Sequence, residues 1–182
     1  DTVNVVVSTR ILIDFGPDAT AVPDVNGNYW NNVSETQNGI KITNAITTGN
    51  VSTAIGFQVL NRIDGTFNVA GPGTSTGNTA GAVGDYPATA TTDYSFADPS
   101  ATSGQWKITG LEATKQYTIK FWGTRSVADN RIIQIKRADQ SLWQEYNATG
   151  NTNYNTSATF TFSGKTSMTF DIRVKAGNSF GH

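Results

Sequence analysis

Residues 167–176 read SMTFDIRVKA, a strict alternation of apolar and polar side chains. Met168, Phe170, Ile172 and Val174 share one side; Thr169, Asp171, Arg173 and Lys175 share the other. A period of two places the apolar set on one face of a strand and would scatter it around a helix. The stretch therefore predicts a strand with one buried and one wet face. ATFTFSG repeats the pattern with Ala158, Phe160 and Phe162, and the SGKTS that follows predicts a hairpin into the Met168 strand. QYTIKFWGTR sends Tyr117, Ile119 and Phe121 inward and Lys120 and Trp122 outward. RIIQIKRA is expected as its hairpin partner, joined through GTRSVADN. Further strands are expected at 2–8, 10–15, 38–43, 54–60 and 105–109, and no window carries a sustained helical period. Residues 68–93 form the longest turn-rich stretch. A half-wet sheet must bury its apolar face against another layer, so the expectation is an all-β, antiparallel β-sandwich forming one domain over 1–182. No repeat of fixed period points to a propeller or solenoid.

Composition narrows the function classes. Charged residues are only 15% of the chain and the net charge is −1, which leaves no electrostatic footprint for nucleic acid or anionic lipid. No apolar run is long enough to span a membrane as a helix, and no basic-plus-apolar leader is present. Zero cysteines exclude disulfides and thiolate metal sites. A cysteine-free, lysine-poor chain rich in Thr, Asn and Gly, beginning at Asp1, fits a secreted bacterial β domain cut from a larger multidomain protein.

Catalytic patterns lack their contexts. The one histidine, His182, is the last residue and is expected to fray. GTSTG at 73–77 matches a nucleophile elbow, but Gly/Thr loop sequence lies where a strand and a helix are needed. DFG at 14–16 has no kinase motifs around it and reads as a strand end; GPG at 71–73 lacks the spacing of a dinucleotide loop. Asp64, Asp85, Asp93, Asp98 and Glu112 are scattered turn acids with nothing to mark a glycosidase pair. The chain is therefore expected not to be an enzyme. DVNGN offers Asp24, Asn26 and Asn28 at alternate positions, like the start of a calcium loop. The expected Gly is Tyr29 and the bidentate Glu is missing, and an Asx-rich turn explains the same residues without metal. No cofactor is expected, a structural calcium ion at this turn being the alternative.

What stands out is a surplus of aromatics in polar surroundings: Tyr29, Trp30, Tyr86, Tyr94, Trp106, Trp122, Trp143, Tyr146 and Tyr154. A flat ring covers the C–H face of a sugar, while Asn, Asp, Gln and Arg bond the hydroxyls. Trp122 leads the candidates, because alternation points it away from Phe121; a cover on the outer face is the other reading. Arg125 and Arg131 flank the same segment and suit hydroxyls or a uronic acid carboxylate, or else pair with Asp129 or Asp93. Trp106 alternates with Ile108 and reads as core. Trp143, Tyr86, Trp30 and Asn31 complete the candidate ligand set, although Trp30 also suits a plug at the end of the sandwich.

ILIDFG, YWNNV, WKITGLEATKQYTIKFWGTR, NRIIQIKRAD and the closing MTFDIRVKAGNSFGH together resemble the β-sandwich domains of galactose-binding-like or malectin-like type. Such domains are attached to secreted polysaccharide-degrading enzymes and carbohydrate esterases of gut and soil bacteria. The resemblance implies a jelly-roll, non-catalytic carbohydrate-binding module, with Trp122, Arg125, Trp30 and Asn31 near the ligand. It implies a polysaccharide or oligosaccharide of plant cell-wall type as ligand and a catalytic domain in the same parent chain as partner. The alternative is a structural spacer packed on a catalytic domain without binding sugar.

Overall fold

The computed structural model describes residues 9–68, 71–76, 81, 84, 86–151 and 156–182. The strand expected at 2–8, and Asp85 and Tyr154, lie outside them.

The alternating segments form strands, and their pairing sets the architecture. In chain order they are β1 Ile13–Phe15, β2 Asn31–Val33, β3 Gly39–Ile42, β4 Gly56–Asn61, β5 Thr74–Ser75, β6 Tyr94–Ser95 and β7 Gly104–Thr109. β8 Tyr117–Phe121, β9 Ile132–Arg137, β10 Gln144–Asn147, β11 Ala158–Phe162 and β12 Met168–Val174 complete the set. A 3-10 turn at Ala88–Ala90 is the one helical element among the described residues. The largest sheet is six-stranded and antiparallel, in the order β10-β9-β12-β7-β4-β3. β8 pairs antiparallel with β11, β5 antiparallel with β6, and β1 parallel with β2.

β12 occupies the middle of the large sheet, and Met168, Phe170, Ile172 and Val174 are all buried, as its alternation requires. Register stacks them on neighbours of the same kind: Phe170 opposite Trp106, Ile172 opposite Ile135, Val174 opposite Ile133. The β8–β11 pair brings Ala158, Phe160 and Phe162, together with the partly buried Tyr117, Ile119 and Phe121, into the same core. Phe121 meets Phe170 at 4.9 Å, Phe160 meets Phe170 at 5.3 Å, and Phe15 of β1 stacks on Trp106 at 4.8 Å. Rings from separate sheets thus close on one another. Gly104 of β7 sits at a close approach: a Cβ there would lie 2.8 Å from both the Ile172 carbonyl and an Ile63 methyl.

Both expected hairpins are absent. β11 does not pair with β12, nor β8 with β9. SGKTS instead crosses between sheets, strapped to the β7–β8 connection by Gly164 N–H to the Ala113 carbonyl (3.1 Å) and Leu111 N–H to the Thr166 carbonyl (3.0 Å). GTRSVADN also crosses, held at both ends by Ala148: Arg125 N–H donates to its carbonyl (2.7 Å) and its N–H donates to the Arg131 carbonyl (3.1 Å). Loop length and alternation are the same for a hairpin and for such a crossing. Only the burial of both flanking apolar faces, in different layers, separates them.

Candidate functional site

Strand pairing gathers three connections at one end of the molecule. The end of β8 faces the start of β11, the start of β9 faces the end of β10, and the end of β12 lies beside the start of β9. Residues 122–131, 148–151, 156–157 and 175–182 therefore leave the sheets together. The 94–97 segment joins them through the Ala97–Gly181 bridge.

Two side-chain groups meet here. The first is a line of rings: Trp30 edge-on to Tyr86 (5.9 Å), and Tyr86 tilted against Trp122 (5.5 Å). The Arg10 guanidinium lies over Tyr86 at 5.6 Å. Trp30 is only 6% exposed and its indole N–H donates to Asp24 Oδ2 at 2.8 Å, so it plugs the line from below. Tyr86 and Trp122 are half-buried.

The second group is cationic. The Arg125 guanidinium stacks on Tyr94 at 4.7 Å, Tyr94 meets the His182 ring edge-on at 4.6 Å, and Arg131 lies over Phe180 at 5.3 Å. Gly123 joins the two groups, since a Cβ there would stand 2.8 Å from the His182 carbonyl carbon and oxygen. The expectation of a frayed His182 is therefore corrected: it is buried, 8% exposed, because residues 180–182 pack under the Trp122–Arg125 segment. Burial, reinforced by the charges of Arg131 and Arg125, holds its imidazole down at about 3, so the ring is neutral at neutral pH. Arg131 pairs with Asp129 through Nη2 at 3.0 Å. Arg125 Nε and Nη1, Arg131 Nε and His182 Nδ1 are buried without a hydrogen-bond partner.

Beneath the ring line lie two buried acids that sequence treats as unrelated. Asp14 Oδ2 accepts from Thr20 Oγ1 (2.8 Å) and Thr20 N–H (3.2 Å), and Asp93 Oδ2 accepts from Asp18 N–H (2.7 Å). Burial pushes Asp14 up to about 7, with the Asp93 charge adding to it, and burial pushes Asp93 up to about 6. Gly16 has no side chain because the Asp93 carboxyl carbon fills that space, 1.9 Å from where a Cβ would sit. Asp93, through Asp18 N–H, and Thr20, whose hydroxyl is hydrogen-bonded to Thr89 Oγ1 (3.1 Å), tie the 16–20 loop to the 86–93 segment, which carries Tyr86.

The remaining candidates stand apart. The Asn31 amide donates to the Leu12 and Ile46 carbonyls and accepts from Ile46 N–H, each at 2.9 Å, which uses both of its N–H groups on backbone. Asp24 accepts from Asn26 N–H and Asn28 N–H at 2.8 Å and, through Oδ2, from Trp30 and the Asn28 amide, closing an Asx turn. Among the described residues no group of three or more His, Cys, Asp or Glu is placed to hold a metal. Trp143 lies on the solvent face of β9 and β12, with Arg173 over its ring at 4.0 Å and Lys136 at 5.3 Å. Structure thus brings Trp30, Tyr86, Trp122, Arg125 and Arg131 to one end, keeps Asn31 in a backbone role and separates Trp143. Tyr94, Asp14, Phe180 and His182 join the site without a sequence motif to announce them.

Comparison with protein-family models, curated proteins and solved structures gave no match to this chain.

Proposed function

We propose that this chain is a non-catalytic carbohydrate-binding module of secreted bacterial origin. On this reading it is a jelly-roll β-sandwich that tethers an attached catalytic domain to a polysaccharide. The observation that carries the reading is the contact of Tyr86 with Trp122, two half-buried rings with the Arg10 guanidinium over Tyr86. Such rings cover the C–H face of a pyranose with little loss of side-chain entropy, and adjacent N–H donors bond its hydroxyls. A single site of this type binds weakly, and tethering works by raising local concentration. The test is affinity electrophoresis on a panel of plant cell-wall polysaccharides. Trp122→Ala is expected to abolish retention while shifting the melting temperature by no more than a few degrees; no retention of the unaltered protein on any polysaccharide overturns the reading.

One observation favours the spacer alternative. Phe67 is 63% exposed and meets Phe180 (4.7 Å) and Phe96 (5.6 Å) with their edges turned to one another, an apolar surface better suited to a protein neighbour than to a sugar. No retention on any polysaccharide, together with binding to the parent catalytic domain that Phe67→Ser abolishes and Trp122→Ala leaves intact, would favour that account.

A further inference from the structure

We infer that the cluster of Arg125, Arg131 and His182 is a carboxylate site that takes the acid group of a uronic acid residue in an acidic glycan. The inference rests on the carbohydrate reading and specifies its substrate class.

Its basis is a set of donors with nothing to donate to. Arg125 makes no ion pair among the described residues, and its Nε and Nη1 are buried without an acceptor. Arg131 spends Nη2 on Asp129 and leaves Nε without one. Nδ1 of the buried His182 is likewise unmet. Each such group keeps its desolvation cost uncompensated while unsatisfied, and folded proteins carry only a few of them. Here they collect on residues tied into one place: Ala148 bonds the backbone of both arginines, and Tyr94 touches both Arg125 and His182. An acceptor with delocalised negative charge satisfies such a group, and guanidinium N–H groups bond carboxylates strongly. The neutral His182 adds an N–H without adding charge.

Sugar, rather than a bare anion, follows from the surroundings. Trp122 directly precedes Gly123, whose backbone packs against His182, so a sugar ring stacked on Trp122 and Tyr86 would carry its carboxylate toward the arginines. Besides Asp129, which Arg131 already engages, the buried Asp14 and Asp93 are bonded to the Thr20 and Asp18 backbone and are raised by burial toward their neutral forms. They do not compete as counter-ions.

The test is calorimetric titration of the 182-residue protein with trimers of galacturonic, glucuronic and mannuronic acid, each beside its neutral methyl ester. At least one acid trimer is expected to bind tenfold or more tightly than its ester. Arg125→Gln is expected to reduce the acid to the level of the ester, leave the ester unchanged, and keep or raise the unliganded melting temperature, since an unpaired charge is removed. Arg131→Gln serves as the second variant should Arg125→Gln not fold. Equal binding of acid and ester, unaffected by either variant, overturns the carboxylate site and leaves the carbohydrate reading standing. Sodium acetate or inorganic sulfate binding as tightly as the best acid trimer overturns the uronic acid assignment in favour of a plain anion site. No binding of any trimer, acid or ester, together with no retention on neutral polysaccharide, overturns both.

Discussion

Two groups of aromatic rings lie close together in this molecule, and they are built on different rules. In the core, Phe15, Phe57, Trp106, Phe121, Phe160 and Phe170 come from strands, sit at alternate positions and meet ring to ring at 4.8–6.3 Å. At the loop end, Trp30, Tyr86, Trp122 and Phe180 come from irregular segments and Tyr94 from the two-residue strand β6, and their neighbours include Arg10, Arg125, Arg131 and His182. The core group is satisfied by packing alone, apart from the buried and unpartnered Trp106 Nε1. The end group mixes rings with buried donors that lack acceptors. A core lowers free energy by excluding water, whereas a recognition surface must keep some of its valence unspent.

That contrast can be broken at several points. The largest effect is expected at the core. Phe170 is fully buried, and Phe170→Ala should cost about 3–5 kcal/mol by denaturant unfolding, since packed neighbours collapse only partly into the cavity. A cost below about 1 kcal/mol would show that the core is loosely packed.

The acids beneath the ring line come next. Asp14 and Asp93 both titrate higher in the folded protein than the ordinary aspartate value of 3.8. Below that value both states are protonated and no penalty exists. As the pH rises the unfolded chain ionises first, so stability falls until the folded Asp14 ionises, at about 7. The Asp14 share is on the order of 4 kcal/mol. Asp139, held down at about 2 by Arg137 and Lys165, works the other way: its contribution is present above 3.8 and is lost as pH falls toward 2. The Asp14→Asn variant measured beside the unaltered protein isolates the first effect: it should lose stability less steeply between pH 4 and 7. Parallel curves would mean that Asp14 is ionised in the folded state.

The smallest effect is expected at Trp143. Its ring is already covered by Arg173 on the far side of the large sheet, so Trp143→Ala should change stability by no more than about 1 kcal/mol and leave glycan retention intact. Loss of retention there, with Trp122→Ala unaffected, would invert the comparison between the two faces.

The strands of the core were legible from period alone. Alternation in β12, β11 and β8 marks which side chains turn inward, and Trp106 could be read as core from its spacing to Ile108. Short strands without alternation, β2, β5, β6 and β10, left no comparable trace. At the candidate site, FWGTR pointed to Trp122 and Arg125, because an outward Trp and an Arg after a strand are visible locally. The part played by His182 was not visible: a terminal histidine in a Gly-rich tail carries no local signal of burial, and it is covered only because Gly123 leaves room for its backbone. Asp14 and Asp93 likewise lie 79 positions apart, and their mutual influence exists only in the folded chain.

By itself the sequence determined the all-β character of this protein and the inward face of its longer strands. Side-chain period and apolar burial act over a few residues, so they can be read in one dimension. Which strands pair was decided by tertiary structure, which turned both expected hairpins into crossings. Tertiary structure also placed Tyr86 against Trp122 and Arg125 beside His182, for pairing and side-chain encounter depend on which buried faces can close on one another in space. The NGNYWNNV segment shows the division most clearly. Its composition announces an aromatic pair in a polar turn, but only folding hands the Trp30 indole to Asp24 and leaves the next ring, Tyr86, to face Trp122.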